Sequence, residues 1–210
     1  MIQIRKFFTA LFLFCFLTIQ VFPQMNGVYR LTGVPEMASG FNFKPDSTFE
    51  FFYSYGAVDR FANGTYSVKD DTLLLYSNKK PGDDFEIIEQ SIKGKTYKVV
   101  VRDENAFLTQ KVIAITYFGE LKKIYEANEE GIIDINTKNC EKIFLQHELF
   151  PDEATLIKDE LNANTYFEVK LKPTLQEVSF TGAVIRLKDD SITCNMPELF
   201  PANARFVREK

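Results

Sequence analysis

Few residues in this chain have the type and spacing for chemistry. Asp59 places a carboxylate beside the guanidinium of Arg60 and close to the phenol of Tyr55, with Glu36 upstream. Two carboxylates flanking a scissile bond could share acid and base roles, as in glycosidases, at a separation of ~5–10 Å. The plainer reading of Asp59 and Arg60 is a surface ion pair, which is worth little in water. Glu36, Tyr55, Asp59 and Arg60 are therefore the candidate ligand-binding residues, and no catalytic residue is assigned. His147 is the single histidine of the sequence. A Ser-His-acid site would have to form around it, and no Gly-x-Ser-x-Gly elbow is present. Zinc sites gather Cys and His at short spacing, whereas Cys140 and His147 stand alone in their neighbourhood, so no metal is expected. No glycine-rich phosphate loop or dinucleotide fingerprint occurs, and no cofactor is expected. Cys140 and Cys194 remain beyond the first 24 residues. In an oxidising compartment they permit one disulfide; the alternative is two partly buried thiols.

The first 24 residues read as a secretory signal. Arg5 and Lys6 precede an apolar run over residues 7–19, which falls short of the ~20 residues of a membrane-spanning helix. The cut is expected between residues 20 and 25, which places the protein in the periplasm or outside the cell with no integral membrane segment left. An uncleaved anchor is the alternative, because no small-x-small cleavage pattern is present. Residues 1–24 hold two basic residues and no acidic one, so the formal charge moves from −4 to −6 when they are removed. A mildly acidic chain with no basic block argues against nucleic acid as a partner. An unidentified protein or small molecule is the partner left open.

The elements that would position these residues are strands. Phe41 and Phe43 share one face, with Asn42 and Lys44 on the other, because side chains alternate along a strand. After the turn at Pro45-Asp46-Ser47, the residues Phe49, Phe51, Tyr53 and Tyr55 share a face, opposite Glu50, Phe52 and Ser54. Aromatic rows on neighbouring strands make a hairpin with a large apolar payload. Residues 56–63 read as a functional loop, and 64–68 and 72–76 as the next hairpin. Residues 85–90 read as a sixth strand of this first sheet. Strand-like runs continue through residues 97–102, 111–118, 121–127, 132–136, 142–146, 165–171 and 177–180, and residues 152–161 form the one helix candidate. The solvated-turn reading covers Asp70, Asp71, Asp83, Asp84, Asp189 and Asp190. The expected class is all-β: an antiparallel meander or small barrel over residues 25–95, then a β-sandwich over 96–181. Strands within 182–210 are expected to return and complete the first sheet.

The elements Ser39-Gly40, Pro45-Asp46, Tyr55-Gly56-Ala57, Asp59 and Gly64-Thr65-Tyr66 together resemble a family of uncharacterised exported bacterial proteins. Ser47 stands where that family's turn usually has glycine, and Tyr66 where tryptophan is frequent. The middle, with KVIAITYF and NTYFEVKL, is similar to transthyretin-like or carboxypeptidase-regulatory-like sandwich modules. The resemblance implies architecture and no activity. The expected function is an exported, non-enzymatic binding or interaction module; the alternative is a carboxylate-dependent hydrolase near residues 56–63.

Overall fold

The computed structural model describes residues 25–210, so the expected signal segment lies outside the described residues. The chain begins with β1 (Gly27–Thr32), β2 (Met37–Phe43), β3 (Thr48–Tyr55), β4 (Val58–Lys69) and β5 (Thr72–Ser77). The middle holds β6 (Phe85–Ser91), β7 (Tyr97–Arg102), a single helical turn α1 (Ala106–Thr109), β8 (Val112–Phe118), β9 (Leu121–Glu126), β10 (Ile132–Ile135), β11 (Lys142–His147), β12 (Phe150–Lys158) and β13 (Tyr166–Leu171). It closes with β14 (Thr181–Lys188), β15 (Ser191–Cys194) and β16 (Ala204–Arg208).

The first five strands and the last three form one closed antiparallel barrel, in the order β1-β2-β3-β4-β5-β14-β15-β16. The expected return of the C-terminal strands is what closes it: β14 pairs with β5, and β16 pairs with β1 through Tyr29↔Arg208 and Leu31↔Phe206. Alternation fixes which residues enter. Phe41, Phe43, Phe49, Phe51 and Tyr53 point inward and are buried, while Asn42, Glu50 and Asp59 point outward. Phe180 and Phe200 reach in from the connections flanking β14 and β15. Phe41 lies 4.8 Å from Phe51 and 5.1 Å from Phe206 between ring centroids, and Phe51 lies 5.2 Å from Phe180. An eight-stranded barrel is just wide enough for side chains to fill it or for one small ligand. Here the rings fill it. Outward positions of the barrel mix polar residues such as Asn42 and Glu50 with exposed rings such as Phe52 and Phe61, and no helix among the described residues is long and apolar enough to cross a membrane.

The strands between β5 and β14 form a sandwich of two four-stranded sheets, β10-β7-β13-β6 and β12-β11-β8-β9. Its core includes Val99, Val112, Ile133, Ile143, Leu145 and Phe167. The sixth strand, expected in the first sheet, pairs instead with β13, through Leu171↔Phe85 and Tyr166↔Ser91. The sandwich therefore starts about ten residues before the expected boundary. The helix expected at 152–161 is the edge strand β12. Thr155 and Ile157 are buried and Leu156 is exposed, a period of two, and an edge position tolerates Pro151. Residues 177–180 form no strand; Glu177 makes a single bridge to Phe61 after a 3-10 turn at Pro173–Gln176. Nor are residues 56–63 a loop. Gly56 and Ala57 alone make the turn, with Tyr55 paired to Val58, and Gly56 takes the positive φ of 59° that the turn requires.

Two turn and packing details carry consequences for stability. The hairpin β2–β3 turns through Pro45 and Asp46, with Ser47 N–H donating to Lys44 O at 3.1 Å; Ser47 then takes φ 64°. That conformation costs an L-residue about 1–2 kcal/mol. Gly64 lies so close to β5 that a Cβ there would meet Tyr76 O at 2.1 Å. Ser47→Gly is accordingly expected to raise the unfolding free energy by about 1 kcal/mol. Gly64→Ala is expected to lower it by about 3 kcal/mol by forcing β4 from β5. Urea unfolding of both variants followed by near-UV circular dichroism measures these shifts.

Candidate functional site

The β1–β2 and β3–β4 turns lie at one rim of the barrel, because Met37 pairs with Tyr55. This brings Glu36, in the first turn, beside Tyr55 at the end of β3; both are exposed. Asp59 faces outward on β4, opposite Ser54, and is exposed as well. Arg60 is the next residue and therefore points the other way; it is 4% exposed. The expected Asp59–Arg60 surface pair is thus ruled out by strand geometry. Among the described residues neither Glu36 nor Asp59 takes part in an ion pair.

Arg60 belongs instead to a buried seam between barrel and sandwich. Its Nη2 donates to Glu177 O at 3.2 Å, and its guanidinium sits 5.5 Å from the centroid of the Phe150 ring. Lys79, on the connection leaving β5, donates from Nζ to the same carbonyl at 2.7 Å and pairs with Asp84 Oδ1 at 2.7 Å. The side chains of Lys79 and Asp84 are 0% and 2% exposed. Asp84, expected in a solvated turn, is therefore a core residue. Its N–H donates to Thr155 Oγ1 at 3.2 Å, and its carbonyl accepts from Lys172 N–H at 2.9 Å. The entering and leaving connections also bond directly: Ser77 N–H donates to Phe180 O at 2.8 Å, and Phe180 N–H to Ser77 Oγ at 2.7 Å. Lys172 completes the set by pairing with Asp83. Fully enclosed ion pairs have a large desolvation cost, and removing one partner strands the other. The seam is a structural bolt.

His147 lies nearby at the end of β11, buried and 5.0 Å from the ring of Phe150. Its Nε2 is 3.1 Å from Leu108 O, and its Nδ1 accepts from Leu149 N–H at 3.2 Å. Both nitrogens are satisfied by a neutral ring carrying its proton on Nε2, which leaves no lone pair for a substrate. Burial pushes its pKa down to about 4. The two cysteines sit in different cores, Cys140 in the sandwich and Cys194 in the barrel, and both are free thiols. The disulfide is not formed, because the two layers of protein that bury them keep them apart. Burial raises the pKa of both, that of Cys194 to about 12, so neither is poised as a thiolate.

Beside the seam is a cleft of about 230 Å3. Val178, Phe180, Ala183, Met196 and Leu199 supply its apolar wall, with Glu153 from β12 and Glu198 from the β15–β16 connection. Ser179 also lines it, and its hydroxyl is buried with no hydrogen-bond partner. None of these residues stood out in the sequence, since they come from two connections and from strands β12 and β14, with no shared period. Among the described residues no cluster of His, Cys, Asp and Glu could hold a metal ion. Comparison with protein-family models, with curated proteins and with solved structures finds no match to the chain.

Two outcomes follow. Lys79→Met leaves the Asp84 carboxylate in the seam without its ammonium and should cost about 3–5 kcal/mol in chemical unfolding, more than any exposed lysine change. The His147 pKa is lowered on folding, so its contribution is present above the unfolded value near 6.5 and is lost as pH falls toward 4. Thermal unfolding between pH 7 and pH 4 should lose about 3 kcal/mol through this ring, and His147→Gln should flatten that part of the profile.

Proposed function

We propose that this is an exported, non-catalytic binding module in which the barrel is a filled scaffold and the seam cleft is the contact site. The observation that carries the reading is the division between a sealed aromatic interior and an apolar recess outside it. Phe41, Phe51, Phe180, Phe200 and Phe206 occupy the volume a carried ligand would need. The accessible recess has apolar walls with carboxylates at Glu153 and Glu198 and the unsatisfied Ser179 hydroxyl. That combination suits an apolar group bearing an ammonium or guanidinium, free or on a protein partner.

Export rests on Arg5, Lys6 and the apolar run over residues 7–19. The reading of residues 96–181 as a transthyretin-like module is supported by two four-stranded sheets in which β7 and β13 are a parallel pair among antiparallel ones. The kinship with exported bacterial proteins is supported by the same residues as before, several of which have a structural task. Gly56 makes a turn, Gly64 permits close packing, and Tyr66 donates its hydroxyl proton at the β2–β3 turn, with Lys44 O 2.9 Å away.

Titration of methyl-labelled protein with phenethylammonium should move the Met196 Cε signal, and the neutral analogue phenethyl alcohol should move it at least several-fold less per unit concentration. No movement at about 10 mM, weaker than any specific millimolar affinity, would remove the cleft from consideration. Mass spectrometry of protein collected outside the cytoplasm should show a chain starting between residues 21 and 25.

A further inference from the structure

The sandwich ends in an open edge. β9 pairs with β8 on one side, and among the described residues no strand pairs with its other side. Phe118 and Leu121 close the two-residue turn between the strands, and Ala127 N–H donates to Val112 O at 3.0 Å. Hydrogen-bonded pairs alternate along an antiparallel ladder, so odd-numbered residues from Leu121 to Ala127 aim their backbone groups at β8. The N–H and C=O groups of Lys122, Ile124 and Glu126 aim outward. The side chains of these three also share one face, the outer face of the sheet, and all are exposed. Lysines on an edge usually deter pairing. Here the cation at 122 is matched by the anion at 126, equally spaced about Ile124.

We propose that β9 joins a second copy of this chain about a two-fold axis at Ile124. Antiparallel pairing in that register sets Lys122 opposite the partner copy's Glu126, Glu126 opposite its Lys122, and Ile124 opposite Ile124. All three positions are of the hydrogen-bonding kind, which gives six backbone hydrogen bonds across the junction. The apolar row on the outer face supports the same register. Ile124 is opposite Ile115, Ile115 opposite Phe144, and Phe144 opposite Leu156, so the row crosses the whole sheet. Ile124 is 55% exposed and Leu156 46% exposed. Joining two copies at Ile124 continues this row through eight strands and covers its most exposed central member. Any slip by two residues sets one of the two charges against Ile124, and a parallel pairing sets lysine against lysine. A two-fold contact uses the same patch on both subunits and closes on itself, so the assembly stops at two. This surface lies at the opposite edge of the sheet from β12 and its Glu153, and does not depend on the cleft.

Sedimentation velocity of the purified protein from about 1 μM to 1 mM, the range of modest edge contacts, reads the association. The expected result is a monomer–dimer equilibrium that K122E and E126K each weaken at least tenfold, with unchanged circular dichroism. The double variant K122E/E126K should recover the dimer, because the charges are exchanged within each chain. An equimolar mixture of the two single variants should also form dimers, since each then meets its opposite. A monomer up to 1 mM, a dimer indifferent to both single changes, or a loss that the double variant and the mixture fail to restore would each overturn the proposal.

Discussion

Closure of the barrel by β16 against β1 is the constraint on which the rest depends. The first five strands present one face of phenyl and phenol rings, and a five-stranded meander cannot cover its own apolar face. The missing cover arrives from the far end of the sequence, as β14 to β16 and the rings of Phe180, Phe200 and Phe206. Edge-on contacts such as Phe41 with Phe206 and Phe51 with Phe200 span the two portions. Burial of an aromatic side chain stabilises by roughly 1.5–3 kcal/mol, and several rings gain that only when the sheet is closed.

A sandwich placed between the two halves of a barrel could be expected to strain this closure. It does not, because the ends of the inserted segment are adjacent. Ser77 and Phe180 exchange hydrogen bonds across the point where the chain leaves and re-enters the barrel. Once β6 to β13 have folded, the entropy of closing the long loop has already been met. The buried Lys79–Asp84 pair and Arg60 then fix how the two bodies sit, converging on Glu177 O and Phe150. Charge at such a place adds direction rather than net stability, since each ion loses its water.

The same arrangement sets the surroundings of the groups with chemical potential. His147 is neutral and satisfied, the thiols are enclosed in separate cores, and the carboxylates Glu36 and Asp59 stand in water. What remains available is surface: an apolar recess at the seam and an open strand edge at the far side of the sandwich. Both are features of shape and register, so a reading by motif passes over them.

Alternation in residues 41–55 was enough to assign inward and outward faces, because each side chain's direction follows from its neighbour's by a local rule. The same rule located most later strands, and turn-forming residue types located the tight turns at Asp70-Asp71 and Asp189-Asp190. Partner choice is not local. Whether β6 joins the barrel or the sandwich, whether Thr155 to Lys158 lie on a helix or an edge strand, and whether Lys79 and Asp84 meet water or each other depend on what packs alongside. Those questions were decided by the tertiary structure, since burial and pairing are set by residues distant along the chain and leave no period in the sequence.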